Sequence, residues 1–231
     1  GPPAEWSEIS RALAWLLLAS MLSMTLVNAG PIAIEVLAGP DQDDEAGRFL
    51  AGLVVARVPL FLFQAVQAAL LPRLAELAGE DRFDELRQSL RQLVAVLAAI
   101  ATLGTLFAWL AGPEIVELLF GSEFPLGART MALLAAGSGS FMIGSAVAQA
   151  NIALGRQRLM ASAWAAGLAA LLLVIAVSSS DLFLRVELGG LAGGVVALAA
   201  QLTVLRSALR SGAVPTQGNM LEALAARPLE P

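Results

Sequence analysis

The chain has 231 residues, 58% hydrophobic and only 14% charged; ordinary soluble domains carry about 25% charged residues, so the composition is that of an integral membrane protein. Its net charge is −5 and all 14 basic residues are arginine, which argues against nucleic acid as a partner. It holds neither cysteine nor histidine, which removes disulfides, thiolate metal sites and the commonest general base.

Residues 1–10 form a cytoplasmic lead-in, and the start at Gly1-Pro2-Pro3 rather than Met predicts a piece of a longer protein. Residues 11–206 hold six apolar segments, at about 13–38, 48–71, 92–111, 126–154, 159–178 and 183–205. Each approximates the ~20 residues that a membrane helix needs. In the first, Asn28 and Glu35 share a face with Thr25 beside them, and Gly30-Pro31 is expected to break the helix. Gly39-Pro40 and the acids after it end the span. The second places Arg57 about ten residues deep, where a charge costs a few kcal/mol. Pro59 follows and leaves the carbonyl of Val55 without its usual donor. Gln64 lies within ~20° of Arg57 around the helix, and Gln67 is ~80° away.

Pro72 ends that span, and 72–91 is expected to form a separate amphipathic helix along the inner membrane surface, with Phe83, Leu86 and Leu90 on one face. Gly112-Pro113 should end the third span. The fourth carries Ser138, Ser145 and Gln149 on one stripe and Gly137, Ser140, Gly144 and Ala148 on the other, and Gly155-Arg156 closes it. Ser178-Ser179-Ser180-Asp181 ends the fifth. The sixth has small-residue repeats, Gly189/Gly193 and Gly190/Gly194, suited to close helix packing. Residues 207–231 are predicted to be a mostly disordered tail, with a weak helix around Met220 to Ala226.

Arginine sets the orientation. Arg11, Arg73, Arg82, Arg87, Arg91, Arg156, Arg158, Arg206, Arg210 and Arg227 fall at one set of ends; Arg48, Arg129 and Arg185 fall at the other. The bias predicts both termini in the cytoplasm. Trp15 and Trp164 are then expected at the inner interface and Trp109 at the outer one. The first two spans form a hairpin that sets Asn28 and Arg57 at the same depth, each beside a proline break, the pattern of transporter binding sites. Two readings of Arg57 stay open: a substrate or ion contact, or an internal bond to Asn28, to a freed carbonyl or to Glu35. Gln64, Gln67 and Gln149 are candidate cavity residues, and each also has a purely structural reading.

The run Arg57-Val58-Pro59-Leu60-Phe61-Leu62-Phe63-Gln64-Ala65-Val66-Gln67-Ala68-Ala69-Leu70-Leu71-Pro72-Arg73-Leu74 resembles the multidrug/oligosaccharidyl-lipid/polysaccharide exporter superfamily. Its likeness is to bacterial polysaccharide-biosynthesis and lipid II-type flippases. Leu26-Val27-Asn28-Ala29-Gly30-Pro31, Leu119-Phe120-Gly121-Ser122-Glu123-Phe124 and Ala153-Leu154-Gly155-Arg156 fit the same picture, over about residues 11–206. The resemblance implies an all-α, six-helix transmembrane bundle that is the C-terminal lobe of a two-lobed transporter. It implies a polyprenyl-pyrophosphate-linked saccharide as substrate, moved from the cytoplasmic to the outer leaflet of a bacterial cytoplasmic membrane. Arg57 is the one position here that matches the basic cavity residues of such proteins. Membrane lipids and the absent N-terminal lobe, or a second subunit, are the implied partners.

Three functions compete. A lipid-linked saccharide flippase fits Arg57, whose forked guanidinium matches phosphate oxygens. A cation-coupled multidrug antiporter of the same superfamily needs an intramembrane carboxylate, for which Glu35 is the sequence's sole candidate. A membrane enzyme or assembly protein of surface-polysaccharide synthesis lacks a recognisable acid cluster. The expectation is a transporter and not an enzyme, with no catalytic residue, cofactor or metal.

Overall fold

The computed structural model describes residues 6–37, 43–80, 82–178 and 181–211, and these are all-α. Seven helices follow in order: α1 (Trp6–Leu37), α2 (Asp43–Ala56), α3 (Val58–Gly79), α4 (Phe83–Phe120), α5 (Ala128–Ala153), α6 (Gln157–Val177) and α7 (Leu182–Ser211). Five are long and apolar enough to cross a membrane, or six when α2 and the start of α3 count as one bent span. Met21, Leu62, Leu103, Leu118 and Val177 are exposed. Large exposed apolar side chains on this scale suit hydrocarbon surroundings.

α5 is central, packed against α4 and α7 and covered by α2 and α3. α6 packs on α7, and α1 lies across both. Leu37 at the end of α1, Pro125 between α4 and α5, and Asp181 before α7 line one space, at the end called upper here; Leu77 near the end of α3 and Leu154 at the end of α5 share a core at the lower end. The small-residue repeats make these contacts close. A Cβ on Gly193 would come within 3.0 Å of the Gly167 carbonyl oxygen on α6, and one on Gly194 within 3.1 Å of the Gly137 carbonyl oxygen on α5. Two apolar cores result. One holds Ile34, Phe49, Val116, Met131 and Trp164. The other, reaching the lower end, holds Leu74, Leu77, Leu86, Val147 and Leu205.

Prolines punctuate this chain less often than the sequence predicts. α1 runs unbroken through Pro31, α3 through Pro72 and α4 through Pro113. Pro59, unlike these three, coincides with a break, a 46° bend between α2 and α3. The expected surface helix over 72–91 is corrected as well. Its first part extends α3, a turn at Glu80 follows, and the rest opens the 38-residue α4. The reason is burial. Leu74, Leu77 and Ala78 on one side of the turn and Leu86 and Leu90 on the other enter the lower core and hold both helices in register. The arginines of the turn are tied to neighbours: Arg82 pairs with Glu80 and Glu85, and Arg87 with Asp84. Arg87 also donates to the Leu209 carbonyl of α7, at 2.7 Å.

Trp164 is another correction. It is 3% exposed, with its ring 5.2 Å from that of Phe141, so packing between helices takes it away from the interface. Trp15 carries Arg158 over its ring, and Trp109 is exposed. α5 ends where Gly155-Arg156 predicts, with Gly155 at φ +69 and Arg156 N–H donating to Asn151 O. The linker residues 38–42, the serines 179–180 and the tail segment 212–231, including the helix expected near Met220, lie outside the described residues.

Candidate polar site at the helix break

Pro59 has no N–H to give to the Val55 carbonyl, and the helix bends there. Helical bonding continues on either side of the gap: Arg57 N–H donates to Leu53 O and Phe61 N–H to Arg57 O, each at 3.0 Å. The junction residue, Arg57, is turned inward and half-buried. Its guanidinium Nη2 donates to the backbone carbonyl of Val27 on α1. That carbonyl has a vacancy for a specific reason. Its helical partner is the N–H of residue 31, and residue 31 is proline. Arg57 therefore supplies the donor that Pro31 lacks, and α1 stays continuous where a break is expected.

Arg57 lines a cavity of about 60 Å³ between α1, α2, α5 and α7. That is room for a few water molecules. Its polar side chains are Arg57, Ser138 and Glu187, set among apolar walls that include Phe49 and Phe141. Ser138 returns its hydroxyl to Leu134 O at 2.8 Å. Glu187 is 2% exposed, and neither carboxylate oxygen has a hydrogen-bond partner. The Thr130 hydroxyl interacts with it without meeting full hydrogen-bond geometry. Glu187 and Arg57 share the cavity but are not within ion-pair distance.

Two further spaces adjoin. An apolar cleft of about 270 Å³ runs between α3, α4 and α5, lined by Pro59, Phe107 and Met142, and it shares Ser138 with the polar cavity. At the upper end a wide vestibule of about 910 Å³ is lined by Glu45, Arg48, Arg129, Thr130, Asp181 and Arg185. These include all three arginines assigned to the sparsely basic side. Thr130 lines the vestibule and also touches Glu187, so that carboxylate stands between the vestibule and the inner cavity.

Of the substrate, ion and helix-break candidates named from the sequence, Arg57 alone lines the polar cavity. Asn28 is at the expected depth but on an exposed face, where its amide donates to Met24 O at 2.9 Å. Gln64 and Glu35 are exposed, and Gln67 and Gln149 are half-buried away from this cavity. The expected stripe of Arg57, Asn28 and the glutamines is thus not assembled. Glu187 is the residue that the sequence reading missed. It sits five positions after the start of α7, among Asp181 and Arg185, and passes for a solvated end charge. The neighbouring Gly189, where a Cβ would fall 2.7 Å from the Ile175 side chain and 3.2 Å from Leu171 O on α6, was the available signal.

Among the described residues, no group of three or more His, Cys, Asp or Glu side chains is placed to hold a metal ion. No family model matches the chain, and no curated protein or solved structure is significantly similar to it. The helices and their surface define the class: a multi-pass, all-α membrane protein.

Proposed function

We propose that this chain is the C-terminal lobe of a transporter that moves a polyprenyl-pyrophosphate-linked saccharide from the cytoplasmic to the outer leaflet of a bacterial cytoplasmic membrane. The observation that carries the reading is an arginine at a proline break, beside a polar cavity that shares Ser138 with an apolar cleft. A lipid-linked anion needs that pairing of surfaces, and the sequence resemblance points the same way. In the present conformation Val27 O holds Arg57, and about 60 Å³ leaves no room for a pyrophosphate. Substrate binding therefore requires α1 to part from the α2–α3 junction. Both termini are cytoplasmic in this reading, and a second lobe or subunit closes the pathway.

The test is rescue of a bacterial strain depleted of its own lipid-linked saccharide flippase, using the protein with its preceding sequence. Rescue is expected from the parent, partial rescue from Arg57→Lys, and none from Arg57→Ala at equal membrane abundance. Full rescue by Arg57→Ala would sink the proposal. Glu187 favours a second reading, the cation-coupled antiporter, because it supplies the buried carboxylate that Glu35, exposed on α1, does not. Drug efflux driven by an ion gradient and lost in Glu187→Gln would decide for it.

A further inference from the structure

Glu187 has three properties at once. It is 2% exposed, both its oxygens lack partners, and it faces a cavity that also holds an arginine. An ionised carboxylate in that setting costs several kcal/mol unless it is paired, and an un-ionised one costs far less. The arginine is meanwhile committed to a backbone carbonyl whose helix depends on it.

We propose that Glu187 is a proton-binding site, and that release of its proton draws Arg57 off the Val27 carbonyl to become the carboxylate's counter-ion. The conformation described here is the protonated one. On release, the proton passes by the Thr130 hydroxyl to water in the vestibule, and the bonding electron pair stays on the carboxylate. Arg57 crosses the small cavity toward the new charge. Val27 O then loses its borrowed donor, and the part of α1 beyond Pro31 is freed to hinge. The site is thus a proton-operated latch on the α1 kink, and it holds whether or not the chain transports anything.

The surrounding charges fit this assignment. Arg129 of α5 and Asp181, just before α7, line the vestibule together with Thr130. Arg185 on α7 itself is engaged with the Ile175 carbonyl at 3.0 Å. The sole ionisable residue of α6, Arg158, is at the far end beside Trp15. On α1, Glu35 is exposed, and Arg11 is near the opposite end; Glu45 and Arg48 of α2 line the vestibule. Arg57 is the cation on the cavity side.

Infrared difference spectroscopy on the full chain in nanodiscs tests this. A hydrogen-exchangeable carbonyl band of a protonated carboxylic acid is expected, lost on alkaline titration and missing in Glu187→Gln. In Arg57→Ala the band should persist about one pH unit or more higher, because the released charge no longer gains a cation partner. The chain has no native cysteine, so nitroxides on Val36→Cys and Leu118→Cys, both exposed, report the hinge directly. Their separation should change over the same pH interval in the parent and stay fixed in Glu187→Gln. A band that survives in Glu187→Gln, or a midpoint that Arg57→Ala leaves unmoved, overturns the proposal.

Discussion

At the scale of single residues, one guanidinium spans two proline sites. Pro59 lets the chain bend so that Arg57 turns inward, and Pro31 leaves the carbonyl that Arg57 reaches. The two prolines are therefore coupled through Arg57, and a double-mutant cycle measures the coupling. Arg57→Ala should cost about 1.5–3 kcal/mol in the parent, the usual worth of a hydrogen bond to a charged group. In a Pro31→Ala background residue 31 regains its N–H, and most of that cost should vanish, a coupling of about 1–2 kcal/mol by denaturant unfolding in detergent. Equal costs in the two backgrounds would refute the cap. The sequence left Arg57 open to an internal bond with Asn28, a freed carbonyl or Glu35, and the structure gives the freed carbonyl, that of Val27. Pro31 marks the Val27 carbonyl as lacking a helical donor, but residue identity does not show which freed carbonyl Arg57 reaches. Glu187 was missed for a related reason. Periodicity shows which residues share a face, but not which of several end charges turns inward.

At the scale of elements, the apolar runs located the five long apolar helices and the bent α2–α3 pair, and the ends were where they failed. Pro72 and Pro113 looked like stops, yet both helices continue because residues beyond them are buried. Leu74 and Leu77 follow Pro72, and Val116, fully buried, follows Pro113. Removing one backbone bond costs less than exposing such side chains. The glycine repeats were legible because close packing needs a small residue at a fixed spacing. They also allow a paired prediction. A Cβ on Gly167 would fall 2.7 Å from Gly193 O and 2.6 Å from the Ala197 side chain, whereas one on Gly190 meets nothing within 4 Å. Gly167→Ala should lower stability by about 1–3 kcal/mol, the range for overpacking. Gly190→Ala should be neutral or gain a few tenths from helix propensity. Thermal unfolding of the two variants side by side provides the comparison, and equal midpoints would contradict the close α6–α7 contact.

At the scale of the whole molecule, the arginine bias and the fold meet at the vestibule. Arg48, Arg129 and Arg185, scattered over the sequence, line one space there. The bias predicts that this end faces away from the cytoplasm. Ser122→Cys, in the exposed α4–α5 connection, should react with an impermeant maleimide on intact cells. Glu80→Cys, exposed at the lower turn, should react only after permeabilisation. The reverse pattern would invert the orientation.

The 38 residues of α4 also have a mechanical meaning. At 1.5 Å per residue the helix is about 57 Å long, nearly twice the ~30 Å hydrocarbon thickness. Its lower part, clasped to α3 and tied through Arg87 to the last turns of α7, is a spar that projects beyond the bilayer core. A tilt of about ten degrees, modest for a membrane helix, swings the tip of such a spar by roughly 10 Å. A shift of roughly an ångström beside Pro59 and Gly104, where α3 and α4 touch, would thereby be geared up into a larger displacement at the lower tip.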